Sequence, residues 1–241
     1  MFNYKLTIKY IGTRYHGWQR QPNHITVQQV IEENLEKLFK ERIRLIASGR
    51  TDAGVHALGQ VANFKVKHHR KPETILNFLN ANLPRDIGIT SVEEVPLSFN
   101  ARFSAKGKTY LYKIHQFPDP FLYGFSWYIS KDIDILKMSE ALSLIKNYKN
   151  LISLAKKGEY LREEVEIREL RMKYDGEHIE IEITASHFLR NMVRKIVAHA
   201  VHVGIGSISV EDLKNIIEAK DPTKGLFIAP PEGLYLKQVY Y

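Results

Sequence analysis

Tyr4-Lys5-Leu6-Thr7-Ile8-Lys9-Tyr10 alternates apolar and polar side chains with a period of two. Successive side chains of a strand point to opposite faces, so this stretch predicts a half-buried strand with Tyr4, Leu6, Ile8 and Tyr10 inward. Gly12 marks a turn after it. Thr26 and Gln29 then have the spacing of a capping box, with Ile25 and Val30 placed for a hydrophobic staple, so a helix should start there. Val27, Val30, Ile31, Leu35, Leu38 and Phe39 carry it along one face. A short strand near residues 44–48 and another with Ala62, Phe64 and Val66 directed inward follow, separated by a polar loop. Pro72 suits the first turn of a second helix, with Ile75, Leu76 and Leu79 as its buried face. Pro84 stops that helix before a strand over residues 87–95.

The resulting order, βαββαβ, is the split βαβ or ferredoxin-like pattern, which gives an antiparallel sheet with helices on one face. The second half nearly repeats it. Residues 107–115 read as a strand, 134–146 as a helix opened by Asp132 or Asp134, and 163–174 with 178–184 as a hairpin about Asp175-Gly176. Leu189, Met192, Val193, Ile196, Val197 and Ala200 form a helical stripe with Gly204 at the position of a C-cap. A shorter helix follows Ser209, and residues 233–240 alternate as a closing strand. Residues 147–162, with Lys156-Lys157-Gly158, read as a mobile basic loop. The expected fold is α+β: two ferredoxin-like halves, 1–104 and 105–241, forming a mainly antiparallel sheet with a central cleft.

The 241 residues suffice for two such halves with cores of their own. With 44% hydrophobic and 26% charged residues the chain reads as globular rather than disordered. No apolar run has the length of a membrane span, and the N-terminus lacks the apolar core of a secretory signal, so no membrane association is expected and the cytoplasm is the expected location. Cysteine is absent, which removes disulfides, thiolate nucleophiles and cysteine zinc sites together. Thirty-five Lys and Arg against 27 Asp and Glu leave a net charge of +8, which fits a polyanionic partner such as nucleic acid. His199 with His202, and His68 with His69, lack acidic or cysteine partners at zinc-site spacing, so no metal is expected.

Gly49-Arg50-Thr51-Asp52-Ala53-Gly54-Val55-His56 is the densest polar loop, set between two predicted buried strands. Taken alone, a Gly-x-x-Asp is more often a tight turn in which Thr or Asp bonds the local backbone. Here Arg50 stands two residues before Asp52, and a nearby positive charge favours the ionised carboxylate. Such a group can serve as nucleophile or base.

The unbroken GRTDAGVHA of residues 49–57 resembles the signature of the TruA pseudouridine synthases, whose nucleophilic aspartate matches Asp52. Tyr15-His16-Gly17-Trp18-Gln19-Arg20-Gln21 is similar to the YxGWQxQ segment of that family. Further similar segments are Asn80-Ala81-Asn82-Leu83-Pro84, Ala101-Arg102-Phe103-Ser104-Ala105, Lys108-Thr109-Tyr110, Phe188-Leu189-Arg190-Asn191-Met192-Val193-Arg194 and the tail from Ala229 to Tyr235. One departure lies around residues 148–157, where the family has a His-Asp-Phe and Ser-Phe pattern and this chain has Tyr148-Lys149-Asn150-Leu151-Ile152-Ser153-Leu154. The resemblance implies isomerisation of uridine at positions 38, 39 and 40 of the tRNA anticodon stem-loop, with no cofactor, by a homodimer gripping tRNA. It also implies that Tyr110 is the active-site tyrosine, stacking on uracil, and that Arg194 stands against the nucleophile.

From spacing alone, Tyr110 reads equally as a packing aromatic, Arg194 as a solvated helix charge, and Trp18 as core or base-stacking. Arg14, Arg20, Lys106 and Lys108 lie near the matched segments and are candidates for phosphate contacts. A binding module without chemistry would not need Arg50, Asp52 and Tyr110 together. An acid-base hydrolase would want a second carboxylate at a defined distance, and no motif supplies one.

Overall fold

The computed structural model describes residues 1–158 and 163–241. Two compact units divide the chain: Met1–Lys106 with Tyr235–Tyr241, and Gly107–Leu234.

The first unit runs β1 (Phe2–Tyr10), α1 (Val27–Phe39), β2 (Ile46–Ala47), β3 (His56–Val66), α2 (Pro72–Asn82) and β4 (Ile87–Val95). Its strands lie in the order β4-β1-β3-β2, every pair antiparallel. Tyr4 faces Phe64 and Leu6 faces Ala62 across β1 and β3. That register puts Tyr4, Leu6, Ile8, Ala62 and Phe64 in the interior, where Val27, Ile31 and Leu35 of α1 and Ile75 and Leu79 of α2 are also fully buried. Each such Val, Leu, Ile or Phe side chain contributes roughly 1.5–3 kcal/mol by leaving water, so the alternation of β1 specifies which face of the sheet receives the helices. Thr26 caps α1, its hydroxyl oxygen accepting from Gln29 N at 3.4 Å, but the Gln29 amide donates to Glu33 Oε1 at 2.9 Å. Ile25 is 61% exposed, so the staple expected with Val30 is not packed.

In the second unit β5 (Gly107–His115), β6 (Trp127–Tyr128), α3 (Ile135–Lys146), β7 (Ile167–Tyr174), β8 (His178–Ala185), α4 (Met192–Gly204) and α5 (Val210–Glu218) follow in turn. β8 pairs antiparallel with both β5 and β7, and β6 lies parallel to the end of β5. Asp134, not Asp132, caps α3. Asp175 Oδ1 accepts from Glu177 N and His178 N at the β7–β8 turn, where Gly176 takes φ +101°. Ser209 and Asp212 close a full capping box on α5.

Two expectations are corrected here. Gly204 is the last helical residue of α4 and not its left-handed stop; Gly206, at φ +72°, fills that role. Gly204 is required by packing instead, since a Cβ there would lie 2.7 Å from Ile133 Cγ2. The loop expected over residues 147–162 has an interior part: Leu151, Ser153, Leu154 and Ala155 are fully buried about a short 3-10 turn at Ile152–Leu154. Residues 159–162 of that expectation lie outside the described residues.

The closing strand β9 (Leu234–Tyr240) joins β3 in a short parallel ladder, Tyr235 facing His56 and Leu236 facing Ala57. Tyr241 Oη then donates to Ala101 O at 2.8 Å, fixing the tail to the first unit. The class is α+β with mainly antiparallel pairing, as the element order predicted. No helix among the described residues is long and apolar enough to cross a membrane.

Candidate active site

The loop bearing Asp52 is held from both ends by groups outside it. At its base Ser48 N donates to Val61 O at 2.8 Å, Ser48 Oγ to Gln60 Oε1 at 2.8 Å, and Gln60 Nε2 to Gly49 O at 2.9 Å. Next to the aspartate, Thr51 is buried: its hydroxyl lies 2.7 Å from Tyr10 Oη, and its carbonyl accepts from Trp18 N at 3.1 Å. Beyond it, Val55 N donates to Asp52 O at 3.2 Å, closing a turn in which Gly54 has φ +80°. That conformation suits glycine, which has no Cβ to clash. Asp52 is thus half-buried between the pinned Thr51 and the turn at Gly54, while Arg50 and Ala53 are exposed. A carboxylate carried this way loses little orientational freedom when it meets a reactant, which is what positioned catalysis requires.

The strap over this loop is the segment of residues 12–18. Gly17 has φ +83°, and a Cβ there would stand 2.6 Å from Thr51 O; one on Gly12 would stand 2.0 Å from Val55 O. Both glycines are demanded by backbone approaching backbone. Gly54 N reaches Tyr15 O at 3.4 Å, and Gly12 N donates to His56 Nδ1 at 3.0 Å. Accepting at Nδ1 places the proton of a neutral His56 on Nε2. The His56 ring stacks on Tyr235, centroids 4.7 Å apart. Burial pushes the phenols of Tyr10 and Tyr235 up to about 12, so both stay protonated at neutral pH. Trp18, 2% exposed, packs near Tyr10 and is a core residue rather than a stacking platform. Asp86 anchors the outer side of the strap, accepting from Tyr15 Oη at 2.6 Å, and Ile11 N donates to Asp86 O at 2.9 Å.

The other residues singled out by the sequence fall as follows. Arg14, its side chain 82% exposed, stands 3.6 Å from Asp86 Oδ2. Arg20 is engaged with Glu32 at 3.3 Å and Glu33 at 3.8 Å. Lys106 is exposed and donates its backbone N–H to Tyr240 O at 2.8 Å. All of these belong to the first unit with Arg50 and Asp52.

Lys108, Tyr110 and Arg194 belong to the second. Lys108 is half-buried on β5 opposite Ala185. Tyr110, two residues on, is 9% exposed with its ring edge-to-face against Phe188 at 4.9 Å. Arg194 Nε donates to Ala229 O at 2.7 Å while Ala229 N donates to Arg194 O at 3.2 Å, so the tail segment is clasped to α4. Tyr112 Oη donates to Pro230 O at 2.8 Å in the same tail. Among the described residues no three His, Asp or Glu side chains are grouped to hold a metal ion.

Sequence reasoning missed Tyr10, Gly12, His56 and Tyr235 as holders of the loop. Tyr10 reads as strand core and Gly12 as a plain turn. Only their tertiary partners reveal the role.

The family model described as tRNA pseudouridine synthase matches residues 6–104 and 147–241. The chain belongs to that family. A protein of Aquifex aeolicus called tRNA pseudouridine synthase A is 39% identical over 241 residues, covering 99% of each chain. Relatives with the same name from Caldicellulosiruptor saccharolyticus and Acetivibrio thermocellus are 41% and 40% identical over the full length of both chains. This chain is therefore an RNA-acting isomerase of the pseudouridine synthase family. Within this synthase the Asp52 loop, its strap and Arg194 lie in the matched segments, whereas Tyr110 lies between them.

Proposed function

We propose that this chain converts uridine to pseudouridine at positions 38, 39 and 40 of the tRNA anticodon stem-loop, acting in the cytoplasm as a homodimer with Asp52 as its catalytic carboxylate. The observation that carries the reading is the anchoring of the Asp52 loop. Thr51 is tied to Tyr10 and Trp18, and the turn at Gly54 follows, so one acidic side chain is presented on a backbone that cannot drift.

The reaction breaks the ribose C1′–N1 bond, turns the uracil and forms C1′–C5. The C5 proton goes to solvent and N1 gains one, so no oxidant or reductant is consumed. The target nucleotide must leave its stack, at a cost of a few kcal/mol offset by contacts in the pocket. Asp52 serves by attack at C1′ or C6, or by assisting base departure and proton removal; each route needs the carboxylate ionised. Arg50 and Arg194 complete the catalytic set assigned with it. Tyr110 stacks on the uracil, an interaction of roughly 1–3 kcal/mol. Of the four candidate phosphate contacts, Arg14, Lys106 and Lys108 serve that role; Arg20, occupied by its ion pairs with Glu32 and Glu33, serves the fold first.

The test is tritium release from uracil-5-labelled tRNA, followed by mapping of the modified uridines. Wild-type protein should release label from the anticodon stem-loop, and Asp52→Ala should release none while binding tRNA within about threefold of wild type. Turnover persisting in Asp52→Ala would remove this residue from the mechanism, and label released elsewhere in the tRNA would overturn the positional assignment.

A further inference from the structure

Two segments of the second unit that are far apart in sequence lie against each other. Asp221 N donates to Ser153 Oγ at 2.9 Å, and a Cβ on Gly225 would stand 2.1 Å from Ser153 O. Beneath them Lys195 of α4, 8% exposed, donates its ammonium to Ala155 O at 2.8 Å and to Pro222 O at 3.3 Å. One buried cation therefore stitches residues 153–155 to residues 221–225. Lys156 N also donates to Arg190 O at 2.9 Å, which brings the start of α4 alongside.

The stitched surface is strongly basic. Lys156, Lys157, Arg190, Lys220 and Lys224 are all exposed around it. Asp221 lies among them, and its Oδ1 accepts from Thr223 N and Thr223 Oγ1, each at 2.8 Å. These bonds to Thr223 hold its pKa below the usual carboxylate range, with Lys224 and Lys157 adding to the effect. Both ammonium groups are thus in electrostatic reach of the same acid. Like charges on a free loop would spread apart, and burying the Lys195 ammonium carries a desolvation cost of its own. The fold accepts both to hold several cations on one ordered face.

We propose that this face grips the phosphodiester backbone of the RNA substrate, a contact that adds affinity without reading base sequence. Spaced ammonium groups on an ordered surface match a regular array of phosphates, and each neutralised phosphate releases condensed counterions. The inference rests on RNA being the substrate.

The test compares wild-type protein with a Lys157→Ala/Lys224→Ala double variant and a charge-matched Lys37→Ala/Lys173→Ala control. tRNA binding is titrated from about 50 to about 300 mM salt, and tritium release is measured at saturating tRNA. The Lys157/Lys224 variant should bind about tenfold more weakly near 0.1 M salt, with a slope of log affinity against log salt shallower by about 1.5. Its KM should rise, its kcat should stay within twofold, and the control should move affinity less than twofold. Wild-type affinity and slope in the Lys157/Lys224 variant, or equal losses in both variants, would overturn the proposal and leave the catalytic assignment intact. A wild-type protein that neither binds tRNA nor releases label would overturn the functional reading, and this proposal with it.

Discussion

The phenol of Tyr10 and the hydroxyl of Thr51 meet at 2.7 Å in the interior of the first unit, one residue before the carboxylate assigned to catalysis. Tyr10 lies on a strand whose other inward side chains are fully buried, so this bond transmits the rigidity of the sheet to a loop. With its phenol pushed up to about 12 by burial, the bond survives across the whole working pH range.

Tyr10→Phe keeps the ring and deletes the bond. Leaving Thr51 Oγ1 buried without that partner should cost about 1–3 kcal/mol of stability. If the bond also positions Asp52, kcat should fall about tenfold while KM for tRNA stays within twofold, because truncation loosens geometry and not binding. Thermal melts and tritium release measure the two effects separately. A destabilised variant with wild-type kcat would show that Trp18 and the Gly54 turn suffice to hold the loop.

Gly17→Ala tests the strap. A left-handed residue other than glycine costs about 1–2 kcal/mol, and here the new Cβ would also meet Thr51 O at 2.6 Å. Gly176 provides the comparison, since it has φ +101° with nothing within 4 Å of its Cβ position. Gly176→Ala should lose only the conformational part, whereas Gly17→Ala should lose more stability and also turnover. Equal melting shifts in the two variants would mean that the strap yields without consequence.

These two tests address the part of the site that sequence could not show. The alternation of β1 is legible because a half-buried strand must alternate. The Asp52 loop stands out by its own motif. Its supports do not: Tyr10 looks like any inward strand residue, and the bond to Thr51 spans 41 positions. The same limit explains the misreading of residues 147–162, where Lys156-Lys157-Gly158 suggests a solvated loop while Leu151, Ser153, Leu154 and Ala155 are buried and Lys195 ties Ala155 to Pro222. Gly204 looks like a helix stop because a glycine required by contact with Ile133 is indistinguishable in sequence from one required by φ. The parallel pairing of β9 with β3 joins chain positions too distant for any periodicity to reveal.

Arg20 separates a structural cation from an RNA contact. Glu32, its side chain 4% exposed, accepts from Gln28 Nε2 at 2.8 Å, Leu45 N at 2.9 Å and Arg20 Nη1 at 3.3 Å. Arg20→Ala removes the charge that compensates a buried carboxylate, but the guanidinium is 47% exposed and screened, so the loss should be about 1 kcal/mol. Its tRNA affinity should change less than twofold. Arg14→Ala, at an 82% exposed position, should show the opposite: weaker tRNA binding at unchanged melting temperature. A large affinity loss in Arg20→Ala with no change in stability would return Arg20 to the RNA interface.

His199 sets an acid limit on the second unit. Its ring is fully buried, Nδ1 lies 2.7 Å from Lys195 O, and Nε2 has no hydrogen-bond partner among the described residues. Burial is the main reason its pKa is lowered to about 4, with the positive charges of Lys195 and His202 acting in the same direction. An exposed histidine in the unfolded chain titrates near 6.5, so between about 6.5 and 4 the unfolded state binds the proton that the folded state refuses. Stability from this group is complete above pH 6.5 and declines as pH falls toward 4, by roughly 3 kcal/mol in total. His199→Gln abolishes that titration. Measured by urea unfolding, wild-type protein should lose about 2 kcal/mol more than the variant between pH 7 and pH 5. Parallel losses in the two proteins would show that His199 becomes protonated in the folded state without penalty, and that the acid sensitivity of this unit arises elsewhere.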